Sequence, residues 1–213
     1  MVKKLSLHKV LKNGYVDDKA NNLDGYIMDK SLSNDLHQTY YHPKEKKLVY
    51  NVRGTQSAGD WLTNAKLFFG RGFKESDRYK EAHKGLRDAK AKYKTDEATV
   101  VGHSQGGLTA NYIAGGKDKV VTYNKASTFG SSLKHGTHYR TAGDVVSLLD
   151  IGKTHSHILA NKNTGGVLKT LVKAGTAVYS KNPELGKEAL KETAGHVLDA
   201  HKVDNIKDEP IFV

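Results

Sequence analysis

Cysteine is absent from the 213 residues of this chain. Disulfides, thiolate nucleophiles and cysteine–zinc centres are therefore excluded, and the redox compartment stays open. Long apolar runs are missing too. Mean hydropathy is −0.61, and no stretch approaches the length needed to span a bilayer. The amino terminus, Met1-Val2-Lys3-Lys4, is basic but leads into no apolar h-region. A soluble chain without a secretory signal is expected, cytoplasmic or peripheral to membranes. No arginine-rich stripe with interleaved aromatics, zinc-finger spacing or homeodomain pattern occurs, so nucleic-acid binding has no motif behind it. Repeats and low-complexity linkers are also missing. The length then predicts one domain over residues 1–213, large enough for a core.

Acidic residues are the scarcer charge: 23 against 34 basic ones, a formal net charge of +11. Such a surplus favours polyanions: nucleic acid, anionic lipid head groups or an acidic protein. A lysine-rich surface that merely keeps the chain in solution explains the same number. The lysines are scattered in small groups, such as Lys44 with Lys46 and Lys47, or Lys90 with Lys92 and Lys94.

What is present begins with Val100-Val101-Gly102-His103-Ser104-Gln105-Gly106-Gly107. Two β-branched residues close a strand, Gly102–Gly106 fits the G-x-S-x-G nucleophile elbow, and residues 107–114 read as the following helix. A serine on so sharp a strand-to-helix turn has a strained backbone. Side chains two positions either way would meet the neighbouring strand and helix, so glycine suits both places. The N–H of Gln105 is then aimed at the space beside Ser104 Oγ, where an oxyanion would form.

The remaining pattern is coarser. Residues 1–35 are polar and turn-rich. Residues 37–41 and 47–53 read as two strands joined by a hairpin loop that Pro43 opens. Asp60 suits the cap of a short helix carrying Trp61, Leu62 and Ala65. In 76–94, Tyr79, Ala82, His83, Leu86, Ala89 and Tyr93 recur at helical spacing and give one apolar stripe. Residues 98–102, 120–123 and 138–141 are strand candidates, and 166–180 and 183–201 are helix candidates. Alternating strands and helices predict an α/β domain with a largely parallel sheet flanked by helices and an antiparallel N-terminal strand.

A serine nucleophile needs a base, and the base needs an acid to orient it. In an α/β-hydrolase these follow the serine in the order acid, then histidine. Asp144 is the best acid, because it follows the strand 138–141 across a small-residue bend at a carboxyl edge, where catalytic loops gather. Asp118 and Asp150 follow no comparable strand. Six histidines lie downstream: His135, His138, His155, His157, His196 and His201. The 155/157 and 135/138 spacings would suit two metal ligands, but no third ligand sits at an obvious spacing, so no metal or cofactor is expected. Upstream, Gly54-Thr55 at a strand end allows close backbone approach, and Thr55 offers an N–H and a hydroxyl as a second oxyanion donor.

Together, Asn51-Val52-Arg53-Gly54-Thr55, Asp60-Trp61-Leu62-Thr63-Asn64 and Gly102-His103-Ser104-Gln105-Gly106-Gly107 resemble the class 3 lipase family of α/β-hydrolases. Val121-Thr122-Tyr123-Asn124, the run from Tyr139-Arg140 to Val146, and His201-Lys202-Val203-Asp204-Asn205-Ile206 are similar to later segments of that family. The resemblance covers residues 45–150 well and the last third loosely. It implies an α/β-hydrolase fold with Ser104 as nucleophile, Asp144 as acid, His201 as base, and Thr55 and Gln105 as oxyanion donors. Gln105 stands where leucine is usual, Val146 replaces a proline, and Ile206 replaces a tyrosine. Residues 56–72, with Leu67, Phe68 and Phe69, lie where many members carry a lid; an ordinary amphipathic core helix fits that stretch equally.

The expected activity is hydrolysis of carboxylic esters of acyl lipids, by a lipase or phospholipase, at a membrane or lipid interface that suits a basic surface if anionic. A catalytically silent hydrolase-fold protein that binds nucleic acid or an acidic partner is the alternative. Peptide or thioester hydrolysis would use the same residues. His196 and His157 rival His201 as the base.

Overall fold

In the strand 47–52, residues 48, 50 and 52 join one apolar cluster while Val49 joins another. This alternation makes the strand a divider between two layers. The computed structural model describes residues 4–55, 73–126, 136–142, 144, 156–159, 201–206 and 210–211. In chain order these form β1 (Leu5–Ser6), α1 (Leu7–Asn13), β2 (Asn22–Leu23), β3 (Tyr26–Met28), β4 (His37–His42), β5 (Lys47–Val52), α2 (Asp77–Tyr93), β6 (Thr99–His103), α3 (Gln105–Ile113), β7 (Lys119–Tyr123), β8 (Gly136–Thr141), β9 (Ser156–Leu159) and β10 (Pro210–Ile211).

Eight strands form one sheet in the order β2-β3-β4-β5-β6-β7-β8-β9, and β1 pairs separately with β10. The β2–β3, β3–β4 and β4–β5 pairings are antiparallel. Every pairing from β5 to β9 is parallel. The domain is thus α/β, largely parallel, with an antiparallel N-terminal side. That side is more elaborate than the single expected strand, because β2 and β3 extend it beyond the 37–52 hairpin.

The helices form for local reasons. Ser76 caps α2 by accepting the Tyr79 N–H at 3.3 Å, and the helix ends at Lys94 in a left-handed conformation (φ 49°). Its stripe Ala82, Leu86 and Ala89 is buried with Tyr50, Val52, Val100, Ala110 and Val120, as the 3.6-residue period requires. On the opposite face, Leu7, Val10 and Leu11 of α1 are buried with Val49, Val101 and Tyr123. Burying each such side chain contributes about 1.5–3 kcal/mol. Helix α1 is a departure from the turn-rich reading of residues 1–35. It has only seven residues, so its apolar stripe Leu7, Val10 and Leu11 is too short to stand out as a period in the sequence.

The expected helix after Asp60, the stretch 56–72, and most of the two C-terminal helix candidates lie outside the described residues. Among the described residues no helix is long and apolar enough to cross a membrane.

Candidate active site

Strand β6 runs directly into Ser104, which has φ 56° and ψ −128° and immediately precedes α3. This backbone is outside the regions that L residues ordinarily occupy. Three hydrogen bonds hold it. The Ser104 N–H donates to the Tyr123 carbonyl at 3.1 Å, and the Ser104 carbonyl accepts from Leu108 N–H at 3.2 Å and Ala126 N–H at 3.0 Å. The flanking glycines are required sterically. A Cβ on Gly106 would lie 2.0 Å from the Val52 carbonyl oxygen, and one on Gly102 would lie 2.4 Å from the Gly106 oxygen. Strands β5 and β6 and helix α3 therefore meet backbone to backbone at the elbow. Gln105 opens α3, and first-turn N–H groups have no acceptor within their own helix. Its N–H and the positive end of the helix dipole are presented beside Ser104.

Thr55, three residues beyond β5, is half-buried. A Cβ on the adjoining Gly54 would be 3.0 Å from Ser104 Cβ, so this loop lies directly against the serine. The Gly54 N–H is already occupied, donating to the Tyr15 hydroxyl at 2.9 Å. Two guanidinium groups lie near. Arg53 stands 6.0 Å from the Tyr15 ring centre, and burial lowers Arg78 to about 10. Together they place positive potential beside the loop. Burial pushes the Tyr15 phenol up to about 12, so it stays a neutral donor at ordinary pH.

Asp144 follows β8, its N–H bonded to the Thr141 carbonyl at 3.1 Å. Its fully buried carboxylate Oδ1 lies 2.9 Å from Nδ1 of His201, 57 residues further along the chain. His201 is held there by the segment that follows it. Asp204 pairs with Lys12 at 2.8 Å and His8 at 3.5 Å, and Ile206 is buried in the cluster containing Leu7, Val10 and Leu11. The C-terminal turn is thereby docked on α1. Thr55, Ser104 and Asp144 all follow carboxyl ends of parallel strands, the edge where α/β sheets place their sites.

Other candidates are elsewhere. Asp118 precedes β7, at the opposite edge of the sheet. There it accepts from the N–H groups of Ala98 (2.9 Å) and Gly115 (2.7 Å) and pairs with Lys90 (2.5 Å), which makes it a structural cap. His138 is buried within the sheet, 2.8 Å from the Thr122 hydroxyl. His157 is exposed on β9, with its ring 5.6 Å from that of Tyr139. Asp150, His135, His155 and His196 lie outside the described residues. Among the described residues no group of three or more His, Cys, Asp or Glu is arranged to hold a metal.

Two residues that sequence reasoning passed over join the site. His103 Nε2 lies 2.8 Å from the His201 carbonyl oxygen, and His103 Nδ1 lies 2.8 Å from the Tyr15 hydroxyl. Burial, with a smaller contribution from His201, lowers His103 to about 3. His103 is visible in the elbow motif, but its place there tolerates any residue. Tyr15 carries no sequence signal beyond its aromatic ring.

Solved structures resemble the overall fold. The native Rhizomucor miehei lipase propeptide complex superimposes with a TM-score of 0.52 at 14% identity, covering 74% of this chain and 67% of that one. The fold is lipase-like. A deletion mutant of the same complex gives 0.50 at 14% identity, over 74% of this chain and 66% of that one. The chain thus spans about two thirds of these lipase-complex chains. A mutant of MDLA from Penicillium cyclopium gives 0.45 at 16% identity, with 74% and 78% covered. No protein-family model and no curated protein matches the sequence.

Proposed function

We propose that this chain is a serine carboxylic ester hydrolase acting on acyl lipids, of the class 3 lipase kind. The observation that carries the reading is the 2.9 Å bond joining buried Asp144 to His201, on a lipase-like sheet whose elbow holds Ser104 at φ 56°. With Nδ1 turned to Asp144, Nε2 of His201 is the nitrogen that takes the Ser104 proton. Ser104 Oγ attacks the ester carbonyl, and the N–H groups of Thr55 and Gln105 stabilise the oxyanion. The tetrahedral species collapses, His201 gives its proton to the leaving alcohol, and an acyl-Ser104 remains. Water, deprotonated by His201, attacks that acyl group, and Ser104 is regenerated. Asp144 holds the imidazolium that forms on His201. The lipase-like fold supports a lipid ester as substrate. The +11 charge supports docking on an anionic lipid surface.

A serine-directed fluorophosphonate tests the reading, together with a panel of p-nitrophenyl esters and labelled phospholipids. Wild type should be labelled at Ser104 and should turn over esters. Ser104→Ala should do neither. Equal labelling or turnover by Ser104→Ala overturns the proposal.

A further inference from the structure

We infer that Tyr15 and His103 are positioning residues, forming a hydrogen-bonded bridge from the Gly54 N–H to the main-chain carbonyl of His201 that sets the base against the oxyanion loop. The inference rests on the reading of Ser104, His201 and Asp144 given above. It assigns roles to two residues outside the triad and the oxyanion donors.

The direction of every bond in the bridge follows from donor chemistry. The His201 carbonyl can only accept, so His103 Nε2 carries the hydrogen across their 2.8 Å contact. A neutral imidazole then has Nδ1 as an acceptor, and the Tyr15 hydroxyl donates to it at 2.8 Å. The Tyr15 oxygen in turn accepts the Gly54 N–H at 2.9 Å. All three donors point one way, towards His201, so each bond polarises the next in the same sense. His103 is closed in by rings: Tyr15 edge-on at 5.7 Å, Tyr123 stacked at 5.7 Å and His201 tilted at 4.9 Å. The bridge cannot swing as a unit without displacing that packing.

Its two ends matter to catalysis. At one end it takes the Gly54 N–H, which leaves Thr55 as the donor of that loop and fixes the loop's height above Ser104. A side chain on residue 54 would meet the Tyr15 oxygen at 2.6 Å, so glycine there is what allows the bridge to close. At the other end it fixes the backbone of His201, whose ring is separately tethered by Asp144. One tether sets the rotation of the imidazole and the other sets the position of its Cα. An error of an ångström in that position is enough to slow proton transfer severely.

The test uses the full chain. Tyr15→Phe keeps the ring and removes both bonds to the hydroxyl. His103→Leu removes both nitrogens, and His103→Gln restores a donor to the His201 carbonyl. Active-site-titrated kcat on a soluble p-nitrophenyl ester should fall about tenfold in Tyr15→Phe and further in His103→Leu, with KM within twofold. His103→Gln should recover most of the loss, and fluorophosphonate labelling rates should follow kcat. Wild-type kcat in Tyr15→Phe and His103→Leu, with only the melting temperature lowered, overturns the inference. The intact protein gives an independent reading that needs no variant. Long-range proton–nitrogen NMR of histidine-labelled wild type should show His103 as the neutral Nε2–H tautomer at pH 7, and an Nδ1–H tautomer overturns the bridge. If wild type takes no label at Ser104, the underlying hydrolase reading fails. If it takes label but the variants are indistinguishable from it, only the bridge fails.

Discussion

Strain at Ser104 can be measured by letting glycine relieve it. At φ 56° and ψ −128°, a non-glycine residue carries about 1–3 kcal/mol of backbone strain. Ser104→Ala keeps the strain and drops the hydroxyl, while Ser104→Gly drops both. The exchange from alanine to glycine also loosens the unfolded chain and removes a buried methyl, each worth about 0.8 kcal/mol. The net expectation at residue 104 is that glycine is about 0.5 kcal/mol the more stable. Ala110, fully buried inside α3, supplies the control. There the same exchange relieves no strain and should cost about 2 kcal/mol, from helix propensity plus the lost methyl. The two exchanges should thus differ by about 2.5 kcal/mol, or about 5–10 °C in melting temperature for a chain of this size. The assay is thermal and urea unfolding of Ser104→Ala, Ser104→Gly, wild type and Ala110→Gly in one buffer. If alanine-to-glycine costs as much at 104 as at 110, the elbow is not strained and the argument for its geometry fails.

Gly106→Ala should destabilise the chain by about 3 kcal/mol and abolish fluorophosphonate labelling, because its Cβ would lie 2.0 Å from a backbone oxygen; a normal urea midpoint would refute this. His103 titrates at about 3 when folded against the usual 6.5, so below pH 6.5 the unfolded chain takes up a proton that the folded chain refuses. Stability present above pH 6.5 should fall with acid, by about 2 kcal/mol at pH 5, and urea midpoints of His103→Gln should lack that part of the slope. Gln105 is buried, and its Oε1 has no hydrogen-bond partner among the described residues. Gln105→Leu should therefore raise the melting temperature by about 2–4 °C, and a lower melting temperature would count against it. Turnover on anionic vesicles should drop as salt rises while turnover on a soluble short-chain ester holds; equal activity on neutral and anionic vesicles at low salt would show that the charge serves only solubility.

How much was legible in the sequence follows the range of the forces involved. The hairpin 37–53, the helix 76–94 and the strands around 100, 121 and 139 all stand in the structure within a residue or two. Each is specified by its own periodicity and by local caps such as Ser76. The elbow was legible because a backbone contact leaves a mark in composition: only glycine fits at 102 and 106. Helix α1 was not, because its seven residues are too few to show a period and its stability comes from packing on the sheet. The position of Asp144 after β8 followed from strand order. Its partner His201 came only from the family resemblance, because their meeting depends on a docking of residues 201–206 onto α1 by Lys12, Asp204 and Ile206. No spacing rule encodes contact across nearly the whole chain. Tyr15 was invisible for the same reason.

That docking gives α1 a second task besides covering the sheet. Its apolar stripe holds Ile206, and its polar side holds Asp204 through Lys12 and His8. Two residues past its end is Tyr15, whose N–H donates to the Lys12 carbonyl and whose hydroxyl meets Gly54 and His103. One short helix therefore fixes the carboxyl-terminal turn bearing His201 on one side and the loop bearing Thr55 on the other. The exposed ion pairs contribute little by themselves, whereas Ile206, Leu7 and Leu11 bury whole side chains. The register of His201 against the elbow is accordingly set by apolar packing on α1, and the hydrogen bonds to Asp144 and His103 then choose the orientation of the ring and carbonyl within that register.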